Sequence, residues 1–303
     1  MGEIINLFDS PIDKKRFQSH IERRMTPLKS NDIWYIHSVF CQCFLPYKDP
    51  KTDTWERHNG DFSIALVAGH LKDGDKALRR VGLPYGPKPR LFQSYICMKA
   101  IKHQSAIIPV EHCMTEMMRV LGLEPTGGRH GNIKMFKEQI IRFAACHFTV
   151  VGPGPKGSYR HIKTPPIKRF DVFFPSDPRQ GSLWPSEILL TEDYYESLHD
   201  HAVPFDFRSL RPLQNKPRAQ DIYLWLTQRI CRIPEDKPLL MKWLDLYEMF
   251  GGQTTMKDFK YKFKQDLKAA HMSYPNARVE QHNEGYLFRK SPPPIPKARV
   301  TVL

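Results

Sequence analysis

The sequence lacks long runs of apolar residues. Nowhere in its 303 residues does it approach the roughly 18 consecutive apolar residues that a membrane-spanning helix needs. The first residues also lack the basic segment and apolar core of a secretory signal. We therefore expect a soluble protein of the cytoplasm with no membrane partner.

Cysteine is scarce, and its spacing does not indicate a metal site. The six cysteines, at positions 41, 43, 97, 113, 146 and 231, include one C-x-C but no paired C-x-x-C that could hold zinc. We expect reduced cysteines, several of them packed in the core. The sequence predicts no metal site and no other cofactor.

Two motifs that would indicate an enzyme are incomplete. A DNA-nicking enzyme needs two metal-binding histidines around a hydrophobic residue, and a tyrosine nucleophile. The nearest candidates are Tyr194, Tyr195, His199 and His201. Asp200 replaces the hydrophobic residue, and histidines two positions apart point apart on a helix. The segment 152–158 has the wrong spacing for a phosphate loop, and its prolines offer no N–H. We expect no catalytic residue.

Acidic residues are clearly fewer than basic ones. The chain has 46 Lys and Arg against 32 Asp and Glu, which gives a formal charge of +14. A field of this sign attracts polyanions, of which nucleic acid and anionic membranes are the obvious examples. The length suits one or two domains, and we expect two.

The spacing of apolar residues predicts one structural pattern that occurs twice. The first copy has helices over 90–103, 111–121 and 129–146, with strands over 106–110, 148–151 and 168–174. The second has helices over 220–231, 242–250 and 257–271, a strand over 239–240 and a hairpin over 278–288. Strands over 33–44 and 62–70 precede the first copy. Helix, strand, helix, turn, helix and hairpin is the winged-helix order, so we predict an α+β fold with tandem winged-helix (helix-turn-helix) domains.

Composition then divides the chain into four segments. Residues 1–30 form a flexible basic arm, 31–205 an N-terminal winged-helix domain with its preceding strands, 206–292 a C-terminal winged-helix domain, and 293–303 a proline-rich tail. The basic residues of the arm are Lys14, Lys15, Arg16, Arg23 and Arg24. Consecutive prolines from Pro292 remove backbone donors, so we expect the fold to end there.

The helix over 257–271 carries the strongest functional signal. At about 100° per residue, Phe259, Phe263, Leu267 and Ala270 fall within one sector, which we expect to face the core. Lysines occupy the other sectors. A solvated lysine face is the commoner interpretation of such a pattern by itself. Its position as the third helix after a glycine turn favours DNA binding, because that helix of a helix-turn-helix enters the major groove.

Candidate DNA-binding residues follow in both copies. In the second copy they lie on the third helix, just before it and on the hairpin: Thr254, Thr255, Lys257, Lys260, Tyr261, Lys264, Gln265, Lys268, Arg278, His282, Asn283 and Arg289. Thr255 and Asp258 resemble a capping box at the start of the helix. For the hairpin residues, a merely exposed polar tip is as good an interpretation as DNA binding. In the first copy, we expect free N–H groups of the glycine-rich segment 127–131 and Arg129 to hold a phosphate. A tight turn is the other interpretation of this segment, and the two are compatible. The candidates there are Thr126, Gly128, Arg129, His130, Lys134 and Arg142.

Several motifs in register resemble one known family. They are Gly82-Leu-Pro-Tyr-Gly-Pro-Lys-Pro-Arg90, Leu121-Gly-Leu-Glu-Pro-Thr-Gly-Gly128, Ala202-Val-Pro-Phe-Asp206, Asp221-Ile-Tyr-Leu-Trp-Leu, Phe250-Gly, Tyr274-Pro and Ser291-Pro-Pro-Pro. These motifs resemble the RepA-type plasmid replication initiators, and the resemblance covers about residues 60 to 295, with the two helix-turn-helix units over 111–145 and 242–271.

The resemblance implies a function. A bacterial initiator of this type binds repeated sequences (iterons) in double-stranded DNA at the plasmid origin and helps to open an adjacent AT-rich segment. It then recruits the host initiator and the replicative helicase or its loader, and it controls plasmid copy number, often through dimers. Two alternatives stay open. One is a transcriptional repressor of plasmid genes without initiator activity, and the other is a structural basic protein of the nucleoid or membrane.

Overall fold

The chain forms two compact units. The computed structural model describes residues 3–4, 18, 25–72, 78–153, 159–163, 166–170, 187–252 and 254–296. The central unit comprises Leu45–Ala202, and the terminal unit combines Met1–Phe44 with Val203–Leu303. Both mix helices with antiparallel sheets, so the fold is α+β. In the described ranges, every helix is too short or too polar to cross a membrane.

The strands and helices of the described residues are numbered in chain order. The strands are β1 (Glu3–Ile4), β2 (Ile33–His37), β3 (Thr54–Asn59), β4 (Phe62–Val67), β5 (His70–Lys72), β6 (Leu78–Arg80), β7 (Ile107–Pro109), β8 (His147–Pro153), β9 (Tyr159–Lys163), β10 (Ile167–Phe170), β11 (Glu187–Leu190), β12 (Ala202–Asp206), β13 (Leu239–Lys242), β14 (Arg278–His282) and β15 (Gly285–Arg289). The α-helices are α1 (Pro87–His103), α2 (Met114–Val120), α3 (Asn132–Ala145), α4 (Glu192–His201), α5 (Phe207–Leu210), α6 (Pro217–Arg229), α7 (Trp243–Phe250) and α8 (Met256–Ser273).

The terminal unit contains the second predicted copy in the expected order. Helix α6 leads to β13, α7, α8 and the β14–β15 hairpin, and these strands pair in the order β14-β15-β13. His282 pairs with Gly285, so Asn283 and Glu284 form a two-residue turn. Strand β1 adds to the outer edge of β14. The predicted helix and hairpin positions of this copy are therefore confirmed.

Aromatic side chains fill the core of the terminal unit. The ring of Phe263 on α8 lies 5.6 Å from that of Phe250 and 5.9 Å from that of Tyr286. Trp225 on α6 makes edge contacts with Phe250 at 5.9 Å and with Phe288 at 4.9 Å. One aromatic cluster therefore joins three helices to the sheet.

The segment 31–44 differs from its prediction in two ways. Only Ile33–His37 forms a strand, because the Nδ1 atom of His37 accepts the N–H of Val39 and begins a 3-10 helix over Ser38–Cys41. The segment also packs within the terminal unit, where Trp34 stacks on Phe207 at 3.6 Å and Phe44 lies 5.1 Å from Phe250. It therefore does not belong with the N-terminal grouping of residues 31–205.

The central unit corrects the predicted hairpin of the first copy. Strand β8 pairs with β4 and β9, whereas β10 pairs with β11, which pairs with β7. The expected pairing of 148–151 with 168–174 is therefore wrong, and residues 171–174 lie outside the described residues. The reason is that β8 places the buried Phe148 and Val150 opposite Leu66 and Ile64 of β4, which are also buried. The strand predicted over 62–70 ends at Val67, which is also the last residue of β4 that pairs with β8.

The loop over 82–90 is fixed by a buried arginine. Arg90 of α1 donates hydrogen bonds to the carbonyls of Gly86 at 2.7 Å and Leu45 at 2.5 Å, and its guanidinium lies over the Tyr47 ring. Gly86 has φ of +76°, a conformation that favours glycine, and Pro87 follows at the first helical position. These residues of the family motif therefore build the loop and start α1, three residues earlier than predicted.

The structure tests the prediction for the C-terminal end of the chain but not that for the basic arm. The basic residues of the arm over 1–30 lie outside the described residues. At the other end, the fold continues into the proline-rich segment, since Tyr274 donates to the Pro292 carbonyl and Ile295 is buried. The strands that the sequence did not predict are β1, β3, β6, β9, β11 and β12. Most of β3 is exposed or half-buried, so its sequence Thr-Trp-Glu-Arg-His-Asn is mostly polar and lacks the run of apolar residues that indicates a strand.

A buried histidine at the end of α8 generates a pH prediction. Burial lowers the pKa of His271 below the 6.5 of a free histidine, while its Nε2 atom donates to the Ala277 carbonyl at 2.7 Å. Among the described residues, the buried Nδ1 has no acceptor for a second proton. Because the unfolded chain binds that proton more readily, we expect the free energy of unfolding to fall as the pH drops below about 6.5.

Denaturant unfolding between pH 7.5 and 5.0 measures this effect. The variant His271→Gln keeps an N–H donor and removes the titration, so its stability should change less over this range than that of the wild type. Equal pH dependence in the two proteins would contradict the assignment.

Candidate nucleic-acid interface

The turn between α7 and α8 sets the direction in which α8 leaves the core. The Tyr247 hydroxyl donates to the Thr254 carbonyl at 2.6 Å, across the turn. A Cβ atom on Gly251 would stand 2.1 Å from the Tyr247 carbonyl oxygen, so only glycine fits there. The Thr255 hydroxyl then caps α8 by accepting the Asp258 N–H at 3.2 Å. This hydrogen bond confirms one half of the predicted capping box, and it engages the Thr255 hydroxyl.

Helix α8 has one buried and one exposed face, as predicted. Phe259, Phe263, Leu267 and Ala270 are all buried. The exposed side chains of the helix include Lys257, Tyr261, Lys262, Lys264 and Gln265, while Lys260 and Lys268 are half-buried. The result is a basic surface around one aromatic ring. Lys262 was not among the predicted residues, although its spacing from the buried face would have identified it.

Two contacts fix α8 beneath this basic surface. The Lys260 ammonium lies 5.2 Å from the centre of the Trp243 ring on α7. At the other side, Arg218 of α6 donates to the Phe250 carbonyl at 2.9 Å and lies 3.4 Å from the Asp266 carboxylate. Burial raises the pKa of Asp266, and Arg218 opposes that shift. Sequence reasoning missed Arg218, because its role depends on three elements that meet only in the fold.

The β14–β15 hairpin offers fewer cations than its sequence indicates. Arg289 is paired with Glu280 through a 2.6 Å contact, and this pairing lowers the pKa of the Glu280 carboxyl. Arg278 lies 3.7 Å from Glu235 in an exposed pair that solvent screens. His282 accepts the Glu284 N–H within the turn. Asn283 at the tip is exposed. Arg289 must leave Glu280 before it can bind a phosphate.

The loop before α3, which contains the predicted phosphate segment 127–131, is closed by hydrogen bonds of its own. The Asn132 N–H donates to the Thr126 hydroxyl at 3.0 Å, and the Thr126 N–H donates to the Asn132 side chain at 2.9 Å. The N–H groups of Gly131 and Ile133 bond to carbonyls of the same loop. Within 127–131, the Gly131 N–H is therefore used to close the loop, so the segment forms a tight turn. Phosphate binding by the other N–H groups of the segment and by Arg129 stays a prediction. Gly128, at φ of +78°, makes this turn possible.

The remaining predicted residues of the first copy divide into two groups. Arg129, His130 and Lys134 are exposed at the start of α3. Arg142 instead lies 2.6 Å from the Glu138 carboxylate and 3.0 Å from that of Asp49, and both hydrogen bonds raise its pKa against the effect of burial. Arg142 is thus bound to two carboxylates of its own unit, whereas the other three side chains face solvent.

The two tyrosines considered for a nicking reaction, Tyr194 and Tyr195, both make packing contacts on α4. Tyr194 on α4 is buried, and its hydroxyl lies 3.2 Å from the Cys97 sulfur on α1. Burial raises the pKa of Tyr194 well above that of a free tyrosine. The ring of Tyr195 packs against His199 at 4.8 Å. Tyr194 therefore packs α4 on α1.

A solved structure shares this fold. The crystal structure of selenomethionine derivatives of domains 2 and 3 of RctB superposes with a TM-score of 0.51 over 82% of this chain and 96% of that chain, at 9% identity. At this identity the likeness concerns the fold. No curated protein matches the sequence.

The sequence itself identifies the family. Residues 83–243 match the family described as "Plasmid encoded RepA protein". This match includes more than half of the chain, and the chain belongs to that family. It extends from the loop fixed by Arg90 to the start of α7 and so covers parts of both units.

The hydroxyl of Tyr247 generates a stability prediction for the α7–α8 turn. Tyr247→Phe removes the 2.6 Å hydrogen bond to the Thr254 carbonyl, so the free energy of unfolding should fall by about 1 kcal/mol. Tyr261→Phe is the matched control, because that ring is 66% exposed and its substitution should leave stability unchanged. Denaturant unfolding measures both variants. Equal stabilities would contradict a structural role of the Tyr247 hydroxyl.

Proposed function

We propose that this protein is a plasmid replication initiator that binds repeated double-stranded DNA sequences (iterons) at the plasmid origin. Its two units act as tandem winged-helix domains. Membership of the plasmid-encoded RepA family supports the initiator role. The net charge of +14 supports binding to a polyanion.

The observation that carries this proposal is the geometry of α8. Its buried aromatic face fixes the helix on the core, the Tyr247 turn sets its direction, and its lysines face solvent. The following hairpin pairs in the order β14-β15-β13, which suits a wing beside a recognition helix. An α-helix of this kind fits the major groove, and lysines bind the phosphates that border it.

We infer unequal roles for the two units. The terminal unit supplies most of the sequence reading, because α8 carries the larger basic face. The central unit adds phosphate contacts through Arg129 and Lys134, which are exposed at the start of α3. Asn283 and His282 at the hairpin tip suit phosphate or minor-groove contacts.

The wider role follows from the family. We propose that the bound initiator helps to open the origin, recruits the host initiator and the replicative helicase or its loader, and limits plasmid copy number, with dimers as one means of control. It performs no covalent chemistry in this scheme. An origin-dependent replication assay distinguishes this role from that of a repressor, which would bind the same DNA without starting replication.

The exposed lysines of α8 provide a direct test. The double variant Lys257→Ala and Lys264→Ala should bind an origin fragment more weakly than the wild type. Each lost phosphate contact should also lower the slope of log K against log salt by about 0.9, so the pair should lower it by about 1.8. Fluorescence anisotropy titrations at several salt concentrations measure both quantities.

Two single variants, each lacking one lysine, control for the loss of net charge. Lys264→Ala alone should lower the slope by about 0.9. Lys237→Ala removes one exposed lysine from the loop before β13, and this variant should keep the wild-type slope. A double α8 variant with unchanged affinity and slope would overturn the proposed DNA-binding face.

A further inference from the structure

Two uncharged side chains lie nearest to the outward direction of α8. At about 100° per residue, the point opposite the buried face lies about 15° from Tyr261 and about 25° from Gln265. The half-buried Lys268 follows at about 35°, on the same side as the exposed Lys257 and Lys264. The exposed Asp258, at about 45°, and then Lys262 lie on the other side. Tyr261, Gln265 and Lys262 are exposed as well. The lysines therefore flank a central pair formed by Tyr261 and Gln265.

Tyr261 is unusual for its position. Its side chain is 66% exposed, and on α8 it is the one large hydrophobic residue at the described surface. Tyr247, by comparison, packs its ring 5.2 Å from Phe259 and bonds to the turn. The fold gains little from an aromatic ring at position 261. A ring held outward on a rigid helix suits contact with an apolar group of a ligand.

These positions suit the centre and the borders of a major groove. The residues of a recognition helix that point away from the core meet the groove floor, where base edges lie, and those on its flanks meet the phosphate strands. The thymine methyl is the apolar group on that floor, and glutamine pairs in bidentate fashion with adenine N6 and N7. Tyr261 and Gln265 match these two partners.

We propose that Tyr261 and Gln265 are the base-reading residues of α8, with Tyr261 against a thymine methyl and Gln265 on an adenine. The flanking Lys257, Lys262 and Lys264 bind phosphates. The two readers are four residues apart, a rise of about 6 Å, which is close to two base-pair steps of about 3.4 Å. This inference rests on the proposed function and deepens it by naming A·T pairs as the bases read.

Base analogues in the origin repeat test each contact separately. Once footprinting has located the site, uracil replaces each thymine in turn, which removes one methyl group. 7-Deazaadenine replaces each adenine, which removes the N7 acceptor. We expect wild-type affinity to fall about fourfold at one uracil position and at least about fivefold at one 7-deazaadenine position.

The variants then assign each penalty to a residue. Tyr261→Ala should bind more weakly and lose the uracil penalty, whereas Tyr261→Phe should keep it because the contact is apolar. Gln265→Ala should lose the 7-deazaadenine penalty alone. Lys264→Ala is the matched control on the same helix, and it should weaken binding to every duplex equally and keep both penalties.

The outcomes separate this inference from the proposed function. If wild-type protein protects no discrete origin site, the proposed function itself fails. If it does protect a site but Tyr261→Ala and Gln265→Ala keep every analogue penalty, the readers have been assigned wrongly, while the function stands. Because both side chains are exposed, their replacement should leave thermal unfolding unchanged.

Discussion

The aromatic cluster around Phe263 is the constraint on which the proposed DNA-binding surface depends. Phe263 lies against Phe250 of α7 and Tyr286 of β15, and Trp225 of α6 connects Phe250 with Phe288. Large rings of this kind contribute much of the burial energy of a small core and fix the rotation of the helices that carry them. Once the buried face of α8 is fixed, the directions of its lysines, Tyr261 and Gln265 follow.

Three polar contacts in the terminal unit also hold α8 in this orientation. Tyr247 bonds across the α7–α8 turn, Arg218 connects the α7 terminus with Asp266, and Lys260 lies over Trp243. Each contact is modest, but together they oppose rotation of α8 about its own axis. A recognition helix needs this rigidity, since a small rotation would exchange the residues that face the bases with those that face the phosphates.

Local sequence signals predicted the terminal unit well and the central unit less well. The apolar spacing of α8, its Thr255 cap and the turn at Asn283 between β14 and β15 are signals that act within a few residues, and each is found where the sequence placed it. The hairpin predicted for the first copy depends on which distant strands pair. Strand β8 found its partner in β4, more than 80 residues earlier in the chain, and no local pattern encodes that choice. The same limit applies to Trp34 and Phe44, whose partners come from the far end of the chain.

In the candidate site, too, local signals could be predicted from the sequence and long-range contacts could not. Periodicity identified the exposed face of α8, but charge alone could not distinguish free cations from paired ones. Arg142 and Arg289 look like phosphate ligands in sequence, yet both are bound to carboxylates. Asp49 and Glu280 come near them only through the fold, whereas Glu138 lies one helical turn from Arg142 on α3. Within α8, angular position separates the uncharged centre of the exposed face from its lysine flanks.

DNase I footprinting of the protein on its own plasmid's origin tests the central claim most directly. The account predicts discrete protected sites that share one sequence and recur along the origin, at protein concentrations that leave unrelated DNA unprotected. Protection that rises uniformly over origin and unrelated DNA alike would contradict it.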